Sequence, residues 1–388
     1  MKEAGQYRKA LGQARRIVVK IGSRVLVQGS GRPDLRRMSQ LVKDLAKLRR
    51  EGREVVVVSS GAIGTGMQAL GMKTRPANLP DLQMAAAVGQ SRLMANYDRL
   101  FSAERCRIGQ VLLTHDDLKD RRRHLNARNT MMALLRNGIV PVVNENDVVA
   151  VEEIKFGDND MLAALVALLI EADLLILLTT VDGFRAPAGK TGSKRVPFLK
   201  AVTPEELKHA VGKGGDMSTG GMNSKLQAAH MVATVSAPVV IADGRKSRVI
   251  SRILKGEDTG TLIASAAASA GAVLGGRKRW IAFFHKPQGV LIVDDGARDA
   301  IERKGRSLLP IGIREVEGHF ASGAVVNVRT VQGVLFACGV VDYSSNDIRK
   351  IKGHRTDEIA NLLGSKDYDE VIHRDNMVVL GIDIGGLS

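Results

Sequence analysis

The chain has 388 residues, with 57 Lys+Arg against 41 Asp+Glu and a formal net charge of +16. Its 44% apolar and 25% charged residues are those of a folded protein, which excludes intrinsic disorder and collagen-like repetition, and at roughly 150 residues per domain the length suggests two or three domains. The positive balance raises nucleic acid, an anionic membrane surface or phosphorylated small molecules as partners, although aromatics at 3% are poor material for stacking bases.

Short runs rich in Val, Ile and Leu at 17–19, 55–58, 139–143, 174–178 and 239–241 predict buried strands. Segments of helical period at 39–50, 81–101, 128–136, 160–171 and 224–235 predict helices. Their alternation predicts an α/β fold over residues 1–264, an open, mostly parallel sheet sandwiched by helices. About ten residues precede the first strand without an assignable role. An Ala/Ser-rich run predicts a linker at 265–275. Strand-like stretches with Gly-rich turns at 289–293, 323–329 and 333–341 then predict a small, mostly β domain over 276–365, with a tail at 366–388.

The charge is unevenly placed, with net +15 on residues 1–275 and net +1 on 276–388. Cys106 and Cys338 lie far apart with no metal-ligand spacing, as expected of a reduced, cytoplasmic protein. The longest apolar run, 161–170, is half the length of a membrane span, so no membrane insertion is expected.

Six segments at predicted strand ends or helix starts carry chemistry. Lys20, followed by Ile21-Gly22-Ser23, closes the first strand, where open α/β sheets bind ligands and an ammonium group could clamp phosphate. Ser59-Ser60-Gly61-Ala62-Ile63-Gly64 closes the second and offers hydroxyls and backbone N–H groups to an anion. Gly64-x-Gly66-x-x-Ala69 meets a relaxed dinucleotide fingerprint, but the strand ending in an acidic residue that should follow is replaced by Thr74-Arg75-Pro76-Ala77-Asn78-Leu79-Pro80. Asn144-Glu145-Asn146-Asp147 follows the strand at 139–143, and Gly157-Asp158-Asn159-Asp160 opens the next helix, so one of these residues could serve as an N-cap. Thr179-Thr180 ends the strand at 174–178, and Thr219-Gly220-Gly221-Met222-Asn223-Ser224-Lys225 opens a helix without the spacing of a P-loop. Together, segments at so many strand ends and helix starts point to one cleft.

Taken in order, these motifs resemble the glutamate 5-kinase family of the amino acid kinase superfamily. The likeness extends to Leu125-Asn126-Ala127-Arg128 and to Arg277-Lys278-Arg279-Trp280, which looks like the opening of a PUA domain. The resemblance implies transfer of the ATP γ-phosphoryl group to the side-chain carboxylate of L-glutamate, with Mg²⁺ as the cofactor. It also implies a cytoplasmic homo-oligomer in proline biosynthesis, with feedback inhibition by proline. Matched residue by residue, Lys20 and Lys225 would be catalytic, with Asp158 orienting them, and Ser60, Asn144, Asp147 and Asn159 would hold glutamate. The nucleotide would lie along Lys20, Thr179, Thr180, Thr219, Gly220, Gly221, Met222, Asn223, Ser224 and Lys225, with Thr180 standing where the resemblance leads one to expect an aspartate. No metal ligand is assigned to the chain. Other amino acid kinases resemble only the first domain and would not be expected to carry a PUA-like segment. RNA binding by residues 276–388 is disfavoured by their near-neutral charge.

Overall fold

Val, Ile and Leu runs sealed on both faces form the centre of the first sheet. The strands are β1 (Arg16–Ile21), β2 (Glu54–Ser59), β3 (Ile108–Leu113), β4 (Val140–Glu145), β5 (Leu174–Thr179), β6 (Phe198–Leu199), β7 (Val239–Asp243) and β8 (Thr261–Ile263). These belong to a computed structural model describing residues 2–27, 34–150, 159–186, 193–210, 221–265, 278, 281 and 287–380. They form one eight-stranded sheet in the order β3-β4-β2-β1-β5-β7-β8-β6. Every pairing is parallel except that of β8 with β7. β1 has β2 on one side and β5 on the other, so the chain order diverges there and a crevice opens beyond the carboxyl ends of these strands.

β3, β6 and β8 were not among the expected strands. Gly109 and Gln110 interrupt the apolar run of β3, an edge strand that is mostly half-buried. β6 and β8 are too short to show an alternation.

Helices flank the sheet: α1 (Lys2–Ala10), α2 (Ser23–Leu26), α3 (Leu35–Arg50), α4 (Ala62–Ala69), α5 (Leu79–Ala103), α6 (His115–Lys119), α7 (Arg121–Arg136), α8 (Asn159–Leu169), α9 (Pro204–Ala210), α10 (Met222–Val235) and α11 (Val249–Leu254). α8 is buried at every position but Met161, and it packs on β1, β5 and α10. α1 is tied in through Arg8. Its guanidinium donates to the carbonyls of Pro197, Glu257, Thr259 and Gly260 at 2.8–3.1 Å, while Tyr7 stacks on Phe198 with centroids 5.5 Å apart.

α4 and α5 approach until their backbones touch. A Cβ added at Gly66 would lie 1.7 Å from the carbonyl oxygen of Ala85, and one at Gly89 would lie 1.7 Å from that of Ala62. No side chain fits either place. Because α4 starts directly after Ser60-Gly61, this contact fixes the loop beyond β2 relative to α5.

Contacts divide the chain into two units, 1–273 and 274–388. The second holds a five-stranded sheet of β9 (Gly289–Val293), β10 (Ile313–Gly318), β11 (Val325–Thr330), β12 (Leu335–Val340) and β13 (Met377–Val379), in the order β10-β9-β11-β12-β13. Part of the expected tail therefore belongs to the fold, since β13 pairs with β12 and Ile372 bridges Leu308. Only Ser265 of the expected linker lies within the described residues, and it is buried. Among the described residues, no helix is long and apolar enough to cross a membrane.

Gly66→Ala and Gly89→Ala should each cost about 3 kcal/mol or more, because backbone rather than a flexible side chain must move. Thermal melts would check this against Gly5→Ala, where the added methyl meets nothing within 4 Å and stability should change little.

Candidate functional site

Three buried charges meet where β1, α8 and α10 converge. Lys20 is the penultimate residue of β1, Asp160 lies in the first turn of α8 and Lys225 in the first turn of α10. The Lys20 ammonium is 2.6 Å from Asp160 Oδ1 and the Lys225 ammonium 2.9 Å from Oδ2, with all three side chains at least 95% buried. The Ser224 hydroxyl donates to Asp160 Oδ2 at 3.0 Å. Burial alone would raise the Asp160 pKa, but the two ammonium groups outweigh it and hold the carboxyl below the usual carboxylate range. The two ammonium groups share one carboxylate, each on its own oxygen, and both line the cleft, where an arriving anion would meet them.

Asp160 joins the two lysines, whereas Asp158, expected to orient them, lies outside the described residues. Asp160 opens the fully buried stripe of α8 and is carried against the sheet.

One side of the cleft is built of amides and hydroxyls. Asn159 Nδ2 donates to Ser60 Oγ at 3.1 Å and to Asn144 Oδ1 at 3.2 Å, and Asn144 Nδ2 donates to Gln90 Oε1 at 2.8 Å. Asn159 Oδ1 and Gln90 Nε2 are buried without a hydrogen-bond partner among the described residues. Beneath Ser60, the Ser59 hydroxyl lies 2.9 Å from the phenol of Tyr97, a fully buried residue of α5. Asp147 lies on the same side. Burial pushes its carboxyl up to about 6, and Arg75 opposes the rise.

The other side follows β5. Thr179, Thr180, Gly221 and Met222 line it, and Arg245 Nη2 donates to the carbonyl of Thr180 at 2.6 Å while its Nε meets Asp243. Ser224 turns its hydroxyl to Asp160 and the Gly221 carbonyl, and neither it nor Asn223 lines the cleft. Thr219 and Gly220 lie outside the described residues. The cleft measures about 470 Å³, and Lys20, Lys225, Ser60, Asn144, Asp147 and Asn159 also line it. Arg24 and Arg75 were not singled out as site residues from the sequence, whereas Ala62, Ile63 and Gly64 at the start of α4 were. The two arginines were missed for one reason. They belong to no polar cluster, and only the fold brings them to the cleft.

The Amino acid kinase family model matches residues 15–243 and the PUA domain model residues 289–363. The glutamate 5-kinase of Citrifermentans bemidjiense is 49% identical over 375 residues, covering 96% of this chain and 100% of its own. That of Moorella thermoacetica is 48% identical over 378 residues, covering 97% of this chain and 99% of its own. That of Geobacter sp. strain M21 is 48% identical over 375 residues.

Asp160→Asn would remove the carboxylate that the two ammonium groups share. Thermal melts should show a loss of about 3–5 kcal/mol, with sulfate recovering part of it by replacing the missing negative charge.

Proposed function

The chain belongs to the glutamate 5-kinase family, and we propose that its cleft transfers the γ-phosphoryl group of MgATP to the side-chain carboxylate of L-glutamate, releasing L-glutamyl 5-phosphate and ADP. The supporting observation is the Lys20–Asp160–Lys225 bridge, with amide and hydroxyl groups on one side and the β5 wall on the other. A carboxylate oxygen forms the new bond to the γ-phosphorus, and the bond from that phosphorus to the β–γ bridging oxygen breaks. The nucleophile is already ionised at neutral pH, so the reaction needs no general base. It needs alignment and neutralisation of negative charge.

Lys20 and Lys225 supply that neutralisation, and Asp160 holds both ammonium groups in place before substrate arrives. Magnesium travels with the nucleotide and neutralises phosphate charge. Thr179, Thr180, Gly221, Met222 and Lys225 take the nucleotide. Ser60, Asn144, Asp147 and Asn159 take glutamate, with the Asp147 carboxylate and Asn159 Oδ1 as acceptors for its ammonium. On this basis the reaction is the first step of proline biosynthesis, carried out in the cytoplasm by a homo-oligomer that proline inhibits. The likeness to the relatives over nearly the whole chain supports this part.

Trapping the acyl phosphate with hydroxylamine, using glutamate, acetylglutamate and aspartate with and without proline, tests the assignment. Turnover of glutamate is expected, and activity only on one of the other two acceptors would overturn it. Lys20→Ala and Lys225→Ala should each lower kcat by about 10²–10³-fold, and near-normal turnover by both purified variants would sink the mechanism.

Asp147 binds as a carboxylate, so protonation below pH of about 6 should raise the KM for glutamate, by up to about tenfold per pH unit in the limit. An acid whose pKa is raised by folding costs stability at pH values above its unfolded range. Asp147→Asn should therefore melt a few degrees higher at pH 8 while losing the acid-side rise in KM.

A further inference from the structure

Gln90 lies behind the cleft and does not line it, yet the hydrogen bonds of the acceptor side end on its amide. From the cleft inward, Asn159 donates to Asn144 and Asn144 donates to Gln90, at 3.2 and 2.8 Å. Every member is a primary amide, so the chain of bonds has a direction. As it stands, Gln90 is the final acceptor, and the unpartnered groups are Gln90 Nε2 at one end and Asn159 Oδ1 at the other. Turned around, Gln90 would be the first donor and Asn159 would present its NH₂ instead. The direction therefore decides whether the cleft shows a buried acceptor or a buried donor. Asn159 itself is 9% exposed, so either group is dry and demands a partner from the ligand.

We propose that Gln90 is a positioning residue that sets this direction, and through it the preference of the acceptor side for a ligand carrying an ammonium group. This rests on the glutamate assignment above. An ammonium group only donates, and it is met by Asn159 Oδ1 only while Gln90 accepts from Asn144. The close contact of α4 with α5 at Gly89 holds the adjacent Gln90 at a fixed distance from β4.

Gln90→Glu accepts and cannot donate, so it locks the observed direction. Gln90→Met keeps the length but removes the acceptor. If Gln90 only filled space, Met would be the milder change and a buried Glu the harsher. The expected result is the opposite. Gln90→Glu keeps the KM for glutamate within about threefold, whereas Gln90→Met raises it about tenfold. KM for ATP and kcat hold in both variants, and the weak turnover of glutarate, which lacks the ammonium, is unchanged. Should Gln90→Met fail to fold, Gln90→Lys, whose ammonium only donates and so reverses the chain of bonds, replaces it with the same expected loss. A glutamate KM unmoved by Met or Lys, or raised more by Glu than by Met, would overturn the inference and leave the glutamate assignment standing. Absence of glutamate turnover by the unmodified chain would instead overturn that assignment, and this inference with it.

Discussion

Burying an ammonium group is costly, and this protein buries two beside one carboxylate. The arrangement is tolerable because Asp160 is shared, each lysine meeting a different oxygen. Much of the surrounding structure follows from that requirement. The two lysines arrive from different elements, one at the end of a central strand and one at the start of a helix, and both elements must be rigid where they meet. α8, apolar along nearly its whole length, seats the carboxylate against the sheet and excludes water from it. The two ammonium groups lie at the crevice where the strand order diverges, so the fold places them where a ligand can reach them.

The acceptor side has a different physical basis. It carries few charges and relies on amides, hydroxyls and a close helix contact. α5 supplies both Tyr97, which meets Ser59, and Gln90, which meets Asn144, so one helix supports two strand ends. Glycines at the crossing with α4 bring that helix close enough for short polar side chains to bridge the gap. The β5 side is instead held by an ion-paired arginine on a backbone carbonyl, as Arg245 grips Thr180.

The sheet was legible in the sequence because a parallel strand buried on both faces writes itself as a solid apolar run, as at Val55-Val56-Val57-Val58. Edge strands lack that signature. β10 reads Ile313-Arg314-Glu315-Val316-Glu317-Gly318, with only Ile313 and Val316 buried, and it carries too many charges to stand out. Lys20, Ser60, Asn144, Asn159 and Lys225 were legible as polar residues at strand ends and helix starts. The place of Asp160 was not, because it depends on where α8 begins, and a shift of one residue rotates the aspartate by about 100°. Gln90 left no mark, since a glutamine in an amphipathic helix is ordinary until its neighbours are known.

The first helix, to which the sequence alone gave no part, bears on the β5 wall of the cleft. Arg8 grips the carbonyl of Gly260. The next residue, Thr261, accepts the backbone N–H of Phe184 on its hydroxyl at 2.8 Å and donates to Val196 at 2.6 Å. Phe184 is buried and ends the turn that leaves Thr179 and Thr180. Two hydrogen bonds joined by one peptide bond therefore separate Arg8 from the end of that turn. The segment ahead of the first strand works as a guy-line, tying the start of the chain to the turn that follows β5.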